Sequence, residues 1–459
     1  MCIRDRLLVY QKDYGEDEVL PDGKTVVSIN FTGDNHGPHS YERVKKIYAD
    51  LRKRYPQAQL VGASFNDVAR ELLLIKKDLP VVTSEIGDTW IFGYGGAPIR
   101  MAKFRAVSRL YSQWLNEGKI KKDSDVALDF AAELGLIAEH TQGVDVKTHL
   151  RQWDKYDMDK FLKGRSEGVF SMAEASWKEI DNYIDSAIAF LPASLQKEAR
   201  EVVAEVDKVK LEDNSKMKPM ARKRWEQPIA GGMTLAGLSY QMFDGDDYDD
   251  FQNRYLRARY EWALDDLGKR GLKESHAVSV TLYAQTMAQS VRKEKKGTRI
   301  ITELRFPENE KVDKRVYPER IQVNCFTTKN GKRSEVALTI YGKPAVRLPE
   351  SYWLSFTVPG IELVIAEKMG ERVNLMDVVE KGNRQMHGID RYVDLITSGE
   401  TIRISSKEAF LLNVGEAQGL NYSTNYPDKR KGVHFNLNNN LWGTNFSMWN
   451  EGSLTYHFV

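Results

Sequence analysis

A chain of 459 residues that is 41% hydrophobic and 10% aromatic can bury a sizeable core, and its length suits roughly two to four domains. Its net charge of +2 sits in short, scattered basic runs such as VRKEKKG (291–297) and KRKG (429–432), which argues against a nucleic-acid partner. The two cysteines, Cys2 and Cys325, cannot build a disulfide scaffold, and no apolar run approaches the roughly 18 residues of a membrane span.

The opening MCIRDR has no apolar periodicity and no features of a signal peptide, so the natural N-terminus is expected upstream and the compartment is not legible. From Thr25 to Ser84 two periods alternate. TVVSINF (25–31) fits a buried strand. Tyr41, Val44, Tyr48, Leu51 and Tyr55 then recur at helical spacing behind Ser40 as N-cap. QLVGA (59–63) reads as a second strand, Ser64 with Asp67 as a capping box, and Val68, Leu72 and Ile75 as the next helical stripe; LPVVTS (79–84) reads as a third strand. Strands alternating with helices predict a parallel sheet, but these few units suffice only for part of an α/β barrel.

From Pro98 to about Val209 the pattern is helical, with stripes Met101–Phe104–Val107–Tyr111–Leu115, Val126–Phe130–Leu134–Ile137 and Trp177–Ile180–Ile184–Ile188–Leu191, which predicts a three-helix bundle. The periodicity lapses around MKPMARKRWEQP (217–228), and short strands follow. Asn330-Gly331 suggests a type I′ hairpin between QVNCFTT and EVALTIY, and Ser398-Gly399 a second hairpin before TIRIS. The expected fold is therefore multidomain: the C-terminal part of an α/β barrel at 1–97, a helical bundle at 98–217 and a large antiparallel β-sandwich at 218–459.

Three polar segments could carry chemistry. GDNHGPH (33–39) and EIGDTW (85–90) follow predicted strands, the rim where ligand groups collect in α/β folds; Asp34 and Asp88 there could grip hydroxyls, hold a metal or move protons, or could act as turn and N-cap residues. His36 and His39 fit exposed loop histidines better than metal ligands, and Trp90 is either a packed rim aromatic or a sugar-stacking surface. In EHTQGVD (139–145), His140 continues the face of the second helical stripe and Gly143 permits a sharp turn, so His140 is either a C-cap residue or a ligand held over a cavity.

The order GDN, YERVKKIYADLRKRYP, QLVGASFNDV and LPVVTSEIGDTWIFGY, then a helix with Arg100, Lys103 and Arg105, and then EHTQGVD, resembles the second half of the catalytic region of family 38 glycoside hydrolases, the α-mannosidases. NNNLWGTNFSMW (438–449) also resembles the closing segment of bacterial relatives. The resemblance implies a zinc-dependent retaining glycosidase acting on carbohydrate, with His140 as a zinc ligand, Asp34 and Trp90 as substrate contacts and Asp88 as a catalytic rim carboxylate. The chain departs from that pattern at Thr141, where the family has aspartate, and in FGYGGAP, which lacks the family's acidic residues. The resemblance also puts the nucleophile and the remaining zinc ligands N-terminal to this chain, which predicts that the chain alone is inactive. The alternative is a non-catalytic carbohydrate-binding or surface protein that presents aromatics such as Trp442, Phe446 and Trp449 to glycans, although core of the sandwich is the stronger reading of those aromatics.

Overall fold

The computed structural model describes residues 16–32, 36–86, 89–139, 142–220, 225–256, 259–420, 422–443 and 445–459. The chain divides into two compact units, one ending at Thr83 and one spanning Ser84–Val459. It is a mixed α/β protein whose sheets are antiparallel, and no barrel closes among the described residues.

In the first unit the strand expected in TVVSINF forms as Val26–Ser28, but its neighbour is Asp17–Val19, antiparallel, with Val19 opposite Val26. The Asp22 carboxylate accepts the backbone N–H groups of Lys24 and Thr25 and fixes the turn. The predicted parallel arrangement is corrected here: QLVGA and LPVVTS run outside any sheet. A hairpin closes over a few residues, whereas a parallel pair needs a long crossover and a neighbour to accept its ladder. The helices follow the sequence signals. Helix α1 (Tyr41–Arg54) starts at Ser40, whose hydroxyl accepts from Arg43 N–H, and α2 (Phe65–Leu74) starts at the Ser64–Asp67 capping box. Their apolar stripes are largely uncovered: no residue of α1 is buried, and Leu72 alone is buried in α2.

The second unit begins with a 3₁₀ segment, Thr89–Gly96, and continues into α3 (Pro98–Asn116), with proline at its first turn, and α4 (Asp125–Gly135), capped by Ser124. Two short helices, α5 (Val146–His149) and α6 (Met158–Ser166), precede α7 (Ser171–Ala189) and α8 (Ala193–Asp207). The three predicted stripes are thus α3, α4 and α7, and α8 joins them as a fourth long helix. Met101, Val107, Trp114, Phe130, Ile137, Ile184, Ile188 and Leu195 share one core.

Three antiparallel sheets follow. The six-stranded sheet runs in space Gly452–Phe458, Ser334–Lys343, Arg320–Thr328, Gly297–Arg305, Gln285–Lys293, Lys218–Pro219. The second runs Met386–Gly388, Leu411–Val414, Val433–Asn439, Glu350–Thr357, Thr234–Met242, Gln227–Pro228, with Val280–Tyr283 also paired to Thr234–Met242. The third has four strands, Glu371–Asn374, Leu363–Lys368, Tyr392–Ile396 and Thr401–Ser405. Val323, Leu338, Leu354, Phe435, Val364 and Leu395, drawn from all three, pack in a single core. The Ser398-Gly399 hairpin forms as predicted, with Thr397 N–H bonded to Glu400 O. The Asn330-Gly331 turn differs. Gly331 alone has positive φ, 66°, and its N–H bonds to Thr328 O, so the hairpin closes through an ordinary turn ending in a left-handed glycine; type I′ requires positive φ at both central residues.

Helices and sheets of the second unit are welded together. Buried Arg105 of α3 donates to the carbonyl oxygens of Lys407, Ile389, Asp390 and Ser406 in the sandwich. Phe92, Trp353, Leu411, Trp442 and Phe446 belong to the same apolar cluster as the long helices. Between α9 (Gly245–Tyr255) and the next strand lies one further short helix, α10 (Glu261–Asp266).

Candidate functional site

The segment from Ser84 to Gly96 is pinned at both ends. At its start, Glu85 N–H donates to Asp377 O at 2.8 Å, Val379 N–H returns a bond to Glu85 O at 3.0 Å, and Ser84 Oγ donates to the Asp377 carboxylate at 2.6 Å. The largely buried Glu85 carboxylate accepts the Lys368 ammonium through one oxygen and faces His387 Nδ1 at 3.6 Å through the other. Burial pushes the Glu85 acid upward, but His387 and the Lys368 charge overcome it and hold the group at about 2. Burial lowers His387 below its ordinary value, against the pull of Glu85. Nε2 of His387 lies 3.0 Å from the Arg384 carbonyl, an acceptor, so Nε2 carries hydrogen and a second proton on Nδ1 would point at Glu85. Glu85 is thus a fixed anion at neutral pH, suited to holding a loop and unsuited to giving up a proton.

At its other end the segment packs into the C-terminal strand region. Trp90 is partly buried, with its ring edge-on to Phe446 at 5.4 Å and tilted against Trp442 at 6.4 Å. Asn439 Nδ2 donates to Phe92 O at 2.9 Å. The glycines of FGYGG follow from close approach: a Cβ on Gly93 would stand 2.4 Å from the Phe446 ring, and one on Gly95 2.2 Å from Asn439 Nδ2.

The turn after α4 is held by the same region. The Tyr94 hydroxyl lies 2.9 Å from Ala138 O and 2.8 Å from Glu139 O, and burial pushes the phenol up to about 12, so it stays a donor. Gln142 N–H donates to Asn445 O, its side-chain nitrogen to Ile137 O and Glu139 O, and its side-chain oxygen accepts from buried Arg100. Arg100 also reaches Asp181 and Trp177 O, locking the turn to α7. Gly143 has φ of 140°, and a Cβ there would meet Trp177 at 2.7 Å, so this turn requires glycine.

Of the residues proposed from sequence, Asp34, Asp88, His140 and the adjacent Thr141 lie outside the described residues. Trp90 is described; it is partly buried and packs against Trp442 and Phe446. His36 is exposed, and His39 donates through Nε2 to Asn30 O at 3.0 Å, so neither reads as part of a metal shell. Trp442, Phe446 and Trp449 are all buried, as the core reading of these aromatics expects, and are not presented to solvent as the surface-protein alternative requires. The C-terminal strands place them against helical aromatics, and Trp449 meets Phe161, Phe170 and Trp177 with centroids at 4.8, 5.3 and 4.8 Å. Sequence reasoning passed over Glu85, Lys368 and His387. The acid in EIGDTW was in view, but its two partners come from strands nearly three hundred residues away.

Among the described residues no group of three or more His, Cys, Asp or Glu side chains is arranged to hold a metal ion. At Glu85 and His387 the Lys368 ammonium already sits against the carboxylate.

A family model described as a domain of unknown function (DUF5054) matches residues 95–227, the helical layer. No curated protein matches the chain. Among solved structures, an alpha-mannosidase from Enterococcus faecalis V583 is similar at 9% identity and a TM-score of 0.31, over 53% of this chain. The chain spans 28% of that protein's length.

Proposed function

We propose that this chain is part of a carbohydrate-active protein of the α-mannosidase type, with Asp88 as its catalytic carboxylate and His140 as a metal ligand. The observation supporting this reading is the Tyr94 hydroxyl on the carbonyls of Ala138 and Glu139. It joins the segment that follows Asp88 to the residues immediately before His140. Glu85, three residues before Asp88, and Gln142, two after His140, are tied down as well, so described residues on either side of both positions are clamped. Such clamping is what a preorganised catalytic group needs.

In this reading Asp88 is the rim carboxylate that handles the proton of the glycosidic oxygen, and Asp34 is a sugar-hydroxyl contact. Glu85 is excluded from proton donation by its low value and serves to position the loop. In this reading zinc would be held through His140, with ligands beyond the described residues, where no group of three or more His, Cys, Asp or Glu is arranged for a metal.

The test uses the protein translated from its full reading frame, assayed for aryl α-mannoside hydrolysis and zinc content. Asp88→Asn should lower activity at least a hundredfold with zinc retained, and His140→Ala should lower zinc and activity together. Unchanged zinc in His140→Ala removes the ligand assignment, and activity indifferent to both substitutions removes the catalytic reading.

A further inference from the structure

Trp262 stands apart from the other tryptophans of the chain. It is 61% exposed, and Tyr260, two residues before it, is 61% exposed as well; no other tryptophan is exposed to this degree. The two rings lie nearly parallel, 14° between planes and 6.3 Å between centroids. They border an open depression of about 450 Å³ whose other walls are Lys147, Glu261 and Asp265.

The backbone presenting these rings is fixed. Ala263 and Leu267 turn inward and are buried, Gln252 Nε2 donates to Leu264 O at 2.9 Å, and Gly443 N–H donates to Asp266 O at 3.0 Å. Two large aromatics held outward on a rigid short helix leave apolar area in water that folding has not used, and such area marks a binding surface. The charges select the ligand. The Lys147 ammonium is bound to the Asp266 carboxylate, and Arg270 stands 3.7 Å from Asp265, so each cation at the depression is already neutralised. Among the described residues the wall therefore offers flat aromatic faces and carboxylate oxygens, and its one lining cation, Lys147, is already paired, which disfavours a phosphate or another anion. A ligand that fits has an apolar C–H face to lie on the rings and hydroxyl groups to donate to carboxylates. Pyranose sugars have both, and the volume falls within the roughly 300–1,000 Å³ of small-ligand sites.

We infer that Tyr260 and Trp262, with Glu261 and Asp265 at their edge, form an accessory binding site for neutral oligosaccharides. Lys147 lies on α5, directly after EHTQGVD, which sets this platform beside the segment carrying His140. The inference deepens the carbohydrate reading by adding a binding surface separate from Asp88 and His140.

Native electrophoresis of the 459-residue chain through gels containing soluble α-mannan, xylan or β-glucan tests it. Retardation by at least one polysaccharide is expected. Trp262→Ala should weaken it at least tenfold, Tyr260→Ala should weaken it, and Trp262→Phe should keep most of it, all three melting at the temperature of the parent chain. Retardation in none of the gels overturns the proposal, as does retardation indifferent to Trp262→Ala. Concentration-dependent self-association that Trp262→Ala abolishes, with no glycan retardation, overturns it in favour of an interface between copies. Asp88→Asn and His140→Ala should leave retardation unchanged. Loss of the catalytic reading would thus leave this site standing, and loss of this site would leave the catalytic reading untouched.

Discussion

The Tyr94 hydroxyl sits 2.8 Å from the carbonyl oxygen of Glu139, a side chain of the 3₁₀ segment holding the end of a helix forty-five residues away. Tyr94→Phe removes this donor while keeping the ring against Phe446. A partly buried hydrogen bond of this kind contributes about 0.5–1.5 kcal/mol, so in a unit of this size a melting temperature lower by about one or two degrees is expected. Hydrogen exchange should rise selectively in 136–145. Exchange rising evenly across the chain would show that Tyr94 does not hold this turn.

Glu85→Gln leaves the Lys368 ammonium buried without its counter-charge, and a loss of roughly 3–5 kcal/mol is expected at pH 7. The pH profile gives a second readout. Folding lowers the Glu85 value from 4.5 to about 2, so its contribution is fully present above pH 4.5 and disappears as pH falls towards 2. The lowered His387 value acts with the same sign, costing stability as pH falls below the usual 6.5. Denaturant melts at pH 7, 4 and 3 should show a steep acid loss in the parent chain and a shallower one in Glu85→Gln; parallel profiles would dismiss Glu85 as the titrating group.

Gly93→Ala tests the packing of the site segment. Its Cβ would fall 2.4 Å from the Phe446 ring, and that ring is itself wedged against Trp90 and Tyr94. Overpacking of this kind costs about 1–3 kcal/mol. The control is Gly399→Ala, which has open space around its Cβ and should stay within about 0.5 kcal/mol of the parent. Equal effects at the two positions would contradict the close approach.

Trp449→Ala empties a site enclosed by Phe161, Phe170 and Trp177, and about 3–5 kcal/mol should be lost. A change below about 1 kcal/mol would be incompatible with a buried aromatic cage.

Cys325 is buried, and burial pushes its thiol up to about 11, so the nucleophilic thiolate is scarce at pH 8. Peptide mass mapping after alkylation should find Cys325 unmodified in the folded chain and fully modified in denaturant. Rapid modification under native conditions would place it at a surface.

Local signals were legible in the sequence because local physics decides them. Ser40 and Ser64 cap the helices they were expected to cap, the stripes of α3, α4 and α7 supply their buried faces, and Ser398-Gly399 turns a hairpin, since each depends on residues a few positions apart. What needed partners at long range was not legible. TVVSINF carried strand composition, but a nearby turn at Asp22 gave Val26–Ser28 an antiparallel neighbour, and QLVGA and LPVVTS found none. EIGDTW drew attention to Asp88, whereas the buried charge cluster beside it forms only because folding brings Lys368 and His387 to Glu85. Composition likewise marked Trp442, Trp449 and Trp262 alike as large aromatics. Tertiary packing buried the first two and left the third in water, because burial is set by what covers a side chain, and a single position in a sequence does not carry that information.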